Sequence, residues 1–302
     1  VVQSPTHAAR ILSDGGVVAL PTETVYGLAA NALDAAAVAR VFRIKGRPRT
    51  HPLIVHLGDV SMIEQWAARV PDAAWQLAER FWPGPLTLIL PKTAMVPVSV
   101  TGGQESVGLR VPNHPLALAV LREFGGGLAA PSANRFGAVS PTTAEHVRRD
   151  LGDEVDLILD GGPCVVGVES TIVSLMDADP IIRRPGGVTR EAIEEVLGQS
   201  VQVHQTGSTR VPGQVDTHYA PRAAVRLLPA EELEAQAALL RSQGLHVRIF
   251  SQEDVAPTAL FASLRRADDE GVDVILATPG HEAGLGLAVA DRLRKAAAPR
   301  GR

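Results

Sequence analysis

VVALPTETVYGLAANALDAAAVARVFRIKGRPRTHPLIVHL, residues 17–57, changes its periodicity twice. It opens on a short apolar run, 17–20, and closes on another, 53–57, each with the length and Val/Ile/Leu content of a buried strand. Between them Asp34 stands at an N-cap position ahead of Val38, Val41 and Phe42, which share one face of a 3.6-residue helix. Strand, one-faced helix, strand is the grammar of a helix laid on a sheet. The same grammar continues. Strand-like runs recur at 86–90, 107–111, 157–159 and 171–175. Asp72 precedes a stripe of Trp75, Ala78 and Trp82, and another stripe through Leu116, Val120, Leu121 and Phe124 ends at the glycines of 125–127. Thr142 and Glu145 have capping-box spacing with Gly152 at the stop, and 189–197 forms a last helix before Gly198. A hairpin within 86–111 makes the sheet mixed, so the expected class is α/β in its α+β form: a twisted mixed sheet with flanking helices.

At residue 205 the pattern lapses into QTGSTRVPGQVDTHYAP, polar and punctuated by Gly and Pro, which reads as a linker over 205–221. Beyond it, strands at 225–228, 247–250 and 274–277 and helices at 231–242 and 285–295 predict a small second α/β domain. The expected organisation is a catalytic domain over 1–204, the linker, and a C-terminal domain over 222–302.

Composition narrows the chemistry. The chain has 302 residues, is 45% hydrophobic and carries a formal net charge of -4, so any anionic ligand must be met by a local cluster of cations. Lysine occurs only at Lys45, Lys92 and Lys295, leaving the positive charge mostly to guanidinium groups, which suit bidentate contacts to phosphate or carboxylate. A single cysteine, Cys164, excludes an internal disulfide and a Cys-rich zinc site and fits a reducing cytosol. No apolar stretch reads as a membrane span or a signal peptide. P-loop, dinucleotide, HExxH, paired CxxC and acidic calcium-loop patterns do not occur, so a nucleotide needs another cradle and no protein-built metal site is expected.

Several loops at strand ends carry polar groups. Thr22, Thr24 and Tyr26 recur at every second position, either facing one way in extended chain to hold a polar ligand or satisfying the backbone of an ordinary turn. Lys45, Arg47 and Arg49 sit in a Gly- and Pro-containing loop that suits polyphosphate, or is a solvated turn. His51 and His56 either support an anion there or simply pack. Arg110 is embedded in apolar sequence and needs an anionic partner, a substrate carboxylate or an internal Asp or Glu. The PSAN segment at 131–134 and Ser140 offer small donors, or are turns. Glycines at 161, 162 and 167 lead to Glu169, Ser170 and Thr171 at the mouth of a strand, where backbone N–H groups can meet an anion. Arg183 and Arg184 add candidate phosphate contacts, whereas Cys164 has no adjacent base to activate it.

Taken in order, PTETVYGL, KGRPRTHPLIVH, FWPGPLTLIL, VGLRVPNHP, APSAN with SPT, DGGPCVVGVESTIV and RRPG resemble the YrdC-like domain of threonylcarbamoyl-AMP synthases over roughly residues 10–198. The HYAP-containing linker and small C-terminal domain resemble the longer members of that family, in which the linker can close over the active site. The resemblance implies an ATP-dependent nucleotidyltransferase. It joins L-threonine, bicarbonate or CO2, and ATP into threonylcarbamoyl-AMP and pyrophosphate, for threonylcarbamoyladenosine modification of tRNA. It further implies threonine contacts at Thr22, His56, Arg110, Ala130 and Ser170, and ATP contacts at Lys45, Arg47, His51, Ser106, Ser132, Ser140, Arg184 and Tyr219. Lys45, Arg47 and Arg110 would then carry catalysis. Mg2+ would arrive with ATP, tRNA or a downstream threonylcarbamoyl transferase would be the macromolecular partner, and the setting would be cytoplasmic. Phe136 departs from the family pattern, standing where a small polar residue is common, and the linker is less basic and aromatic than usual. Two other readings share the fold: a carbamoyl-phosphate-dependent, carbamoyl-adenylate-forming enzyme, and an RNA-binding module, against which the net charge counts.

Overall fold

The computed structural model describes residues 4–204, 209–213 and 219–298. Parts of the expected linker, 205–208 and 214–218 with His218 among them, lie outside the described residues. The first sheet is built from β1 (Val18–Leu20), β2 (Gly27–Asn31), β3 (Ile54–His56), β4 (Leu86–Pro91), β5 (Ser106–Arg110), β6 (Leu128–Ala129), β7 (Leu157–Ile158), β8 (Thr171–Ser174), β9 (Ile181–Arg184) and β10 (Gln202–Val203). Their order across the sheet is β10-β9-β8-β4-β5-β3-β6-β2-β1-β7. Parallel pairs such as β3 with β5 and β4 with β8 alternate with antiparallel ones such as β4 with β5, so the sheet is mixed as expected. Helices α1 (Pro5–Ser13), α2 (Ala35–Lys45), α3 (Ile63–Trp66), α4 (Asp72–Phe81), α5 (Val98–Thr101), α6 (Pro115–Phe124), α7 (Ala144–Leu151) and α8 (Arg190–Leu197) accompany it. The largest core cluster packs Trp66, Leu77, Ala78 and Ile193 of the helices onto Leu86, Leu88 and Val173 of the strands.

Local signals account for the helix ends that face the site. Asp34 caps α2 by accepting from Ala36 N and Ala37 N, and Gly46, at φ 63°, ends the helix so that Arg47 N turns back to Phe42 O. The capping residue of α7 is Thr143, which accepts from His146 N, and not Thr142, one position earlier, where the capping-box spacing to Glu145 put it. Asp72 lies inside α4 behind Pro71, a first-turn acid at the positive end of the helix dipole and not its cap.

The second sheet is small and wholly parallel, in the order β11-β13-β12, with β11 (Ala224–Leu227), β12 (Val247–Ile249) and β13 (Val274–Ala277). Helices α9 (Leu233–Ser242), α10 (Leu260–Asp269) and α11 (Gly286–Ala297) cover it. The sequence reading did not contain α10. Its core is not closed on itself: Val25 and Val139 of the first unit, and Tyr219, join Phe250, Phe261, Leu264 and Leu293 in one apolar cluster.

Candidate active site

Beside the strand ends lies a cavity of about 50 Å3. Register explains two of its walls. His56 and Arg110 are Cα partners at the ends of the parallel strands β3 and β5, so both side chains arrive side by side. Both are buried, at 5% and 4% exposure. Arg110 Nη2 donates to Thr24 Oγ1 at 2.8 Å and Nε donates to Gly84 O at 3.3 Å. Its ion-pair partner is internal: Glu23 Oε1 lies 2.8 Å from Nη2, at an angle that makes it a charge contact and not a formed hydrogen bond, while Oε2 accepts from Asn113 N. Burial, with Arg110 adding to it, pushes the imidazole of His56 down to about 3, so the ring is neutral at physiological pH. Its buried Nδ1 has no partner among the described residues, which marks a place for a ligand donor or acceptor.

Thr22 lines the cavity and also serves its own turn. Its hydroxyl donates to Val25 O at 2.6 Å and accepts from the backbone N–H groups of Thr24 and Val25. Thr24 faces the same space, with its oxygen 2.8 Å from that of Thr22. Tyr26 does not; its hydroxyl donates to Gly162 O instead, so the every-second-residue pattern breaks at the third position. The opposite wall holds Ala130, Pro131 and Ser132, which follow β6, and Ser170, which precedes β8. Ser170 is fixed by Thr87 Oγ1 at 2.8 Å and by Arg184, whose Nη2 donates to Ser170 O at 2.8 Å and to Oγ at 3.1 Å.

Three buried guanidinium groups, Arg47, Arg110 and Arg184, thus line one small cavity. Arg110 alone has a carboxylate within ion-pair distance among the described residues. Arg47 Nη2 donates to Pro52 O, its Nε has no partner among the described residues, and burial draws its pKa down to about 10. Arg184 is spent on carbonyls and a hydroxyl. The one carboxylate among the lining residues, Glu169, belongs to Arg292 at 2.8 Å. An excess of desolvated positive charge beside neutral donors is a receptor for anions.

Four expected contacts do not line this cavity. Lys45 is buried and donates to Ser132 O and Asn134 O, which ties the PSAN loop to the end of α2; burial, reinforced by Arg47, holds its pKa well below the usual amine range. His51 packs edge-on against Phe136, with ring centroids 5.4 Å apart, and the Arg47 guanidinium lies over the same ring at 5.7 Å. The unusual phenylalanine therefore supports two basic residues. Ser106 starts β5, at the opposite end of that strand from Arg110. Ser140 is fully buried and donates to Glu169 Oε1 at 2.6 Å. Tyr219 does reach the wall, where it adopts a left-handed φ of 61° and stacks on Phe261 at 5.4 Å. Pro212 and Gly213 complete that side. The thiol of Cys164 is buried and pushed up to about 12, which leaves it inert. Among the described residues no group of His, Cys, Asp and Glu could hold a metal ion, and no helix is long and apolar enough to cross a membrane.

Fold and cavity together define an anion-handling α/β enzyme of the YrdC type carrying an extra C-terminal unit. The family of Sua5, YciO and YrdC, described as "Telomere recombination", matches residues 10–186, and the "Threonylcarbamoyl-AMP synthase, C-terminal domain" family matches 188–298. Threonylcarbamoyl-AMP synthases of Pyrococcus abyssi and Bacillus subtilis are each 42% identical, covering 96% and 97% of this chain and 92% and 93% of their own lengths. A shorter relative, a putative threonylcarbamoyl-AMP synthase of Mycobacterium tuberculosis, is 41% identical over 63% of this chain and 88% of its own. The crystal structure of Pyrococcus abyssi Sua5 complexed with L-threonine superposes with a TM-score of 0.92 at 41% identity, covering 97% of this chain and 94% of that one. The chain belongs to the threonylcarbamoyl-AMP synthase family, an enzyme with a YrdC-like domain followed by the family's C-terminal domain.

Proposed function

We propose that the cavity joins L-threonine, bicarbonate or CO2, and ATP into threonylcarbamoyl-AMP, releasing pyrophosphate. The carrying observation is the convergence of Arg47, Arg110 and Arg184 on one desolvated space. The threonine amine nitrogen bonds to the carbon of CO2, giving up a proton to solvent, or to the carbon of bicarbonate, with loss of water, and so forms a carbamate. One carbamate oxygen then bonds to the α-phosphorus as the bond from that phosphorus to the β-bridging oxygen breaks, and pyrophosphate leaves with the electron pair. Such a step needs two anions brought together and charge dispersed on the leaving group, and guanidinium groups supply both without a covalent intermediate.

In this reading Arg110 meets the threonine carboxylate with the side of its fork not taken by Glu23 and Thr24. Thr22, His56, Ala130 and Ser170 shape the rest of that subsite. Arg47, Ser132, Arg184 and Tyr219 face ATP, backed by Lys45, His51, Ser106 and Ser140. At about 50 Å3 the cavity is well below the roughly 300–1,000 Å3 of small-molecule sites, so the wall formed by Pro212, Gly213 and Tyr219 moves aside when ATP enters. Glu169, which lines the cavity, and Glu23, which pairs with the lining Arg110, are both committed to arginines, so the residues present do not make a magnesium cage; Mg2+ belongs to the ATP phosphates and their water. The units 1–204 and 222–302, joined by 205–221, divide the work into catalysis and closure. Delivery to tRNA through a downstream transferase, in a cytoplasm where Cys164 stays reduced, goes with this assignment.

Purified protein given ATP, L-threonine and bicarbonate is expected to release pyrophosphate and yield threonylcarbamoyl-AMP by mass spectrometry. Product that appears only when carbamoyl phosphate replaces threonine and bicarbonate would sink the proposal.

A further inference from the structure

We infer that Arg292, on the C-terminal helix α11, is a positioning residue of the active site, holding the Glu169 carboxylate and the Tyr219 ring in the cavity wall. The inference rests on the reading of that cavity as the site of adenylate formation. Arg292 is fully buried, at 0% exposure, and every part of its fork is engaged. Nε donates to Glu169 Oε2 at 2.8 Å, Nη2 donates to Pro185 O at 3.0 Å, and Nη1 donates to Asp291. The guanidinium carbon lies 5.1 Å from the centroid of the Tyr219 ring. Two pieces of wall, the strand mouth at 169 and the linker end at 219, therefore meet on one side chain contributed by the other unit, together with the turn after β9 at 185, next to the lining Arg184.

The consequences reach the reacting space through neighbours. Glu169 lines the cavity, and its other oxygen accepts the Ser140 hydroxyl at 2.6 Å, so Arg292 also fixes which way that hydroxyl points. Pro185 follows Arg184, whose own fork holds Ser170. Burying a guanidinium and a carboxylate together gives little net stability over an apolar pair of the same size, whereas it fixes orientation strongly. Docking alone would not need it. The two units also meet through a shared apolar cluster and through Arg149 with Asp269 at 2.6 Å and Arg265 with Asp150 at 2.5 Å.

The test uses the full chain and steady-state pyrophosphate release with all three substrates. R292M, which keeps bulk and removes the fork, is expected to lower kcat at least 30-fold at a temperature where its melting curve shows it folded. In an E169Q background, where the carboxylate to be held is gone, the same substitution is expected to cost no more than a further 3-fold, because the two residues act as one unit. R149A, which breaks an interface ion pair away from the cavity, should leave kcat unchanged. If R292M fails to fold, R292K, too short to span Glu169 and Pro185 together, is read in the same two backgrounds. A kcat within 3-fold of wild type, or an equal loss in both backgrounds, overturns the inference while an active wild type leaves the proposed reaction standing. An inactive wild type removes both.

Discussion

Arg110 sits where its charge costs several kcal/mol of desolvation unless something opposite lies beside it, and Glu23 at 2.8 Å is that something. The pairing makes the two positions separable by experiment. R110M leaves the Glu23 carboxylate buried and unpaired, so it should lose about 3–5 kcal/mol in urea unfolding as well as raising the KM for threonine. R110M/E23Q should recover most of that stability and none of the KM. Stability that stays low in the double variant would contradict the pairing. His56 next to it titrates with a definite sign. Burial, then Arg110, depress its folded-state pKa to about 3 from the ordinary 6.5, so between those values the unfolded chain takes up a proton that the folded protein refuses. Stability from this group is complete above pH 6.5 and falls by at most ~1.4 kcal/mol per pH unit on the way down. H56N should flatten the acid side of the stability-pH curve by about that slope; an unchanged curve would show the ring to be solvated. The need of Arg110 for an anionic partner was legible in the sequence because an apolar run cannot hold a bare guanidinium. Which partner was not, since Glu23, in the loop between β1 and β2, is brought to it only by the order of strands across the sheet, with β3 and β6 between.

At the level of strands and turns, what sets Arg184 against Ser170 is the absence of a side chain at Gly186. A Cβ there would run into the backbone of Glu169, Ser170 and Thr171, so β9 can cross the mouth of β8 only with glycine at this point. G186A is expected to cost about 1–3 kcal/mol by overpacking, and to weaken pyrophosphate release beyond what the stability loss explains, because Ser170 shifts with it. Thermal melts and kcat at a temperature where the variant is fully folded would check both; normal kinetics would mean that the crossing is tolerant. The RRPG segment was recognised as basic, yet its strand was not, since four residues ending at Pro-Gly carry too little period. The same reason hid β6, β7 in part, and β10, of two residues each. Helix α10 was missed differently. It has the stripe Leu260, Phe261, Leu264 and Ala267, but its N-cap is Ala259, with no capping side chain to announce a start. By contrast α2 and α8, with Asp34 and Thr189 as caps and glycine stops, stand in the sequence as they stand in the fold.

The molecule as a whole is two sheets that share one apolar cluster across a cavity too small for its expected nucleotide. The putative threonylcarbamoyl-AMP synthase of Mycobacterium tuberculosis matches 63% of this chain with 88% of its own length, so a relative of this kind is shorter than the two-unit chain. The contribution of the second unit is the wall: Phe261 stacks on Tyr219 at 5.4 Å and Arg292 grips Glu169, so docking and wall geometry are one event. On the proposed reading threonine takes the subsite beside Arg110, whereas ATP has to displace the side made by Pro212, Gly213 and Tyr219 on entry, before that wall re-forms over both substrates. The two ligands should therefore act oppositely on the interface. Hydrogen exchange at the backbone amides of α10 and α11 is expected to slow when threonine is added alone. With ATP alone it should quicken at least tenfold, an opening made easier by about 1.4 kcal/mol. Amides of α4, whose buried residues belong to the first sheet's own cluster and not to the shared one, should respond to neither. Equal protection by both ligands would mean that ATP enters without undocking the second unit, and the wall would then be a fixed part of the site.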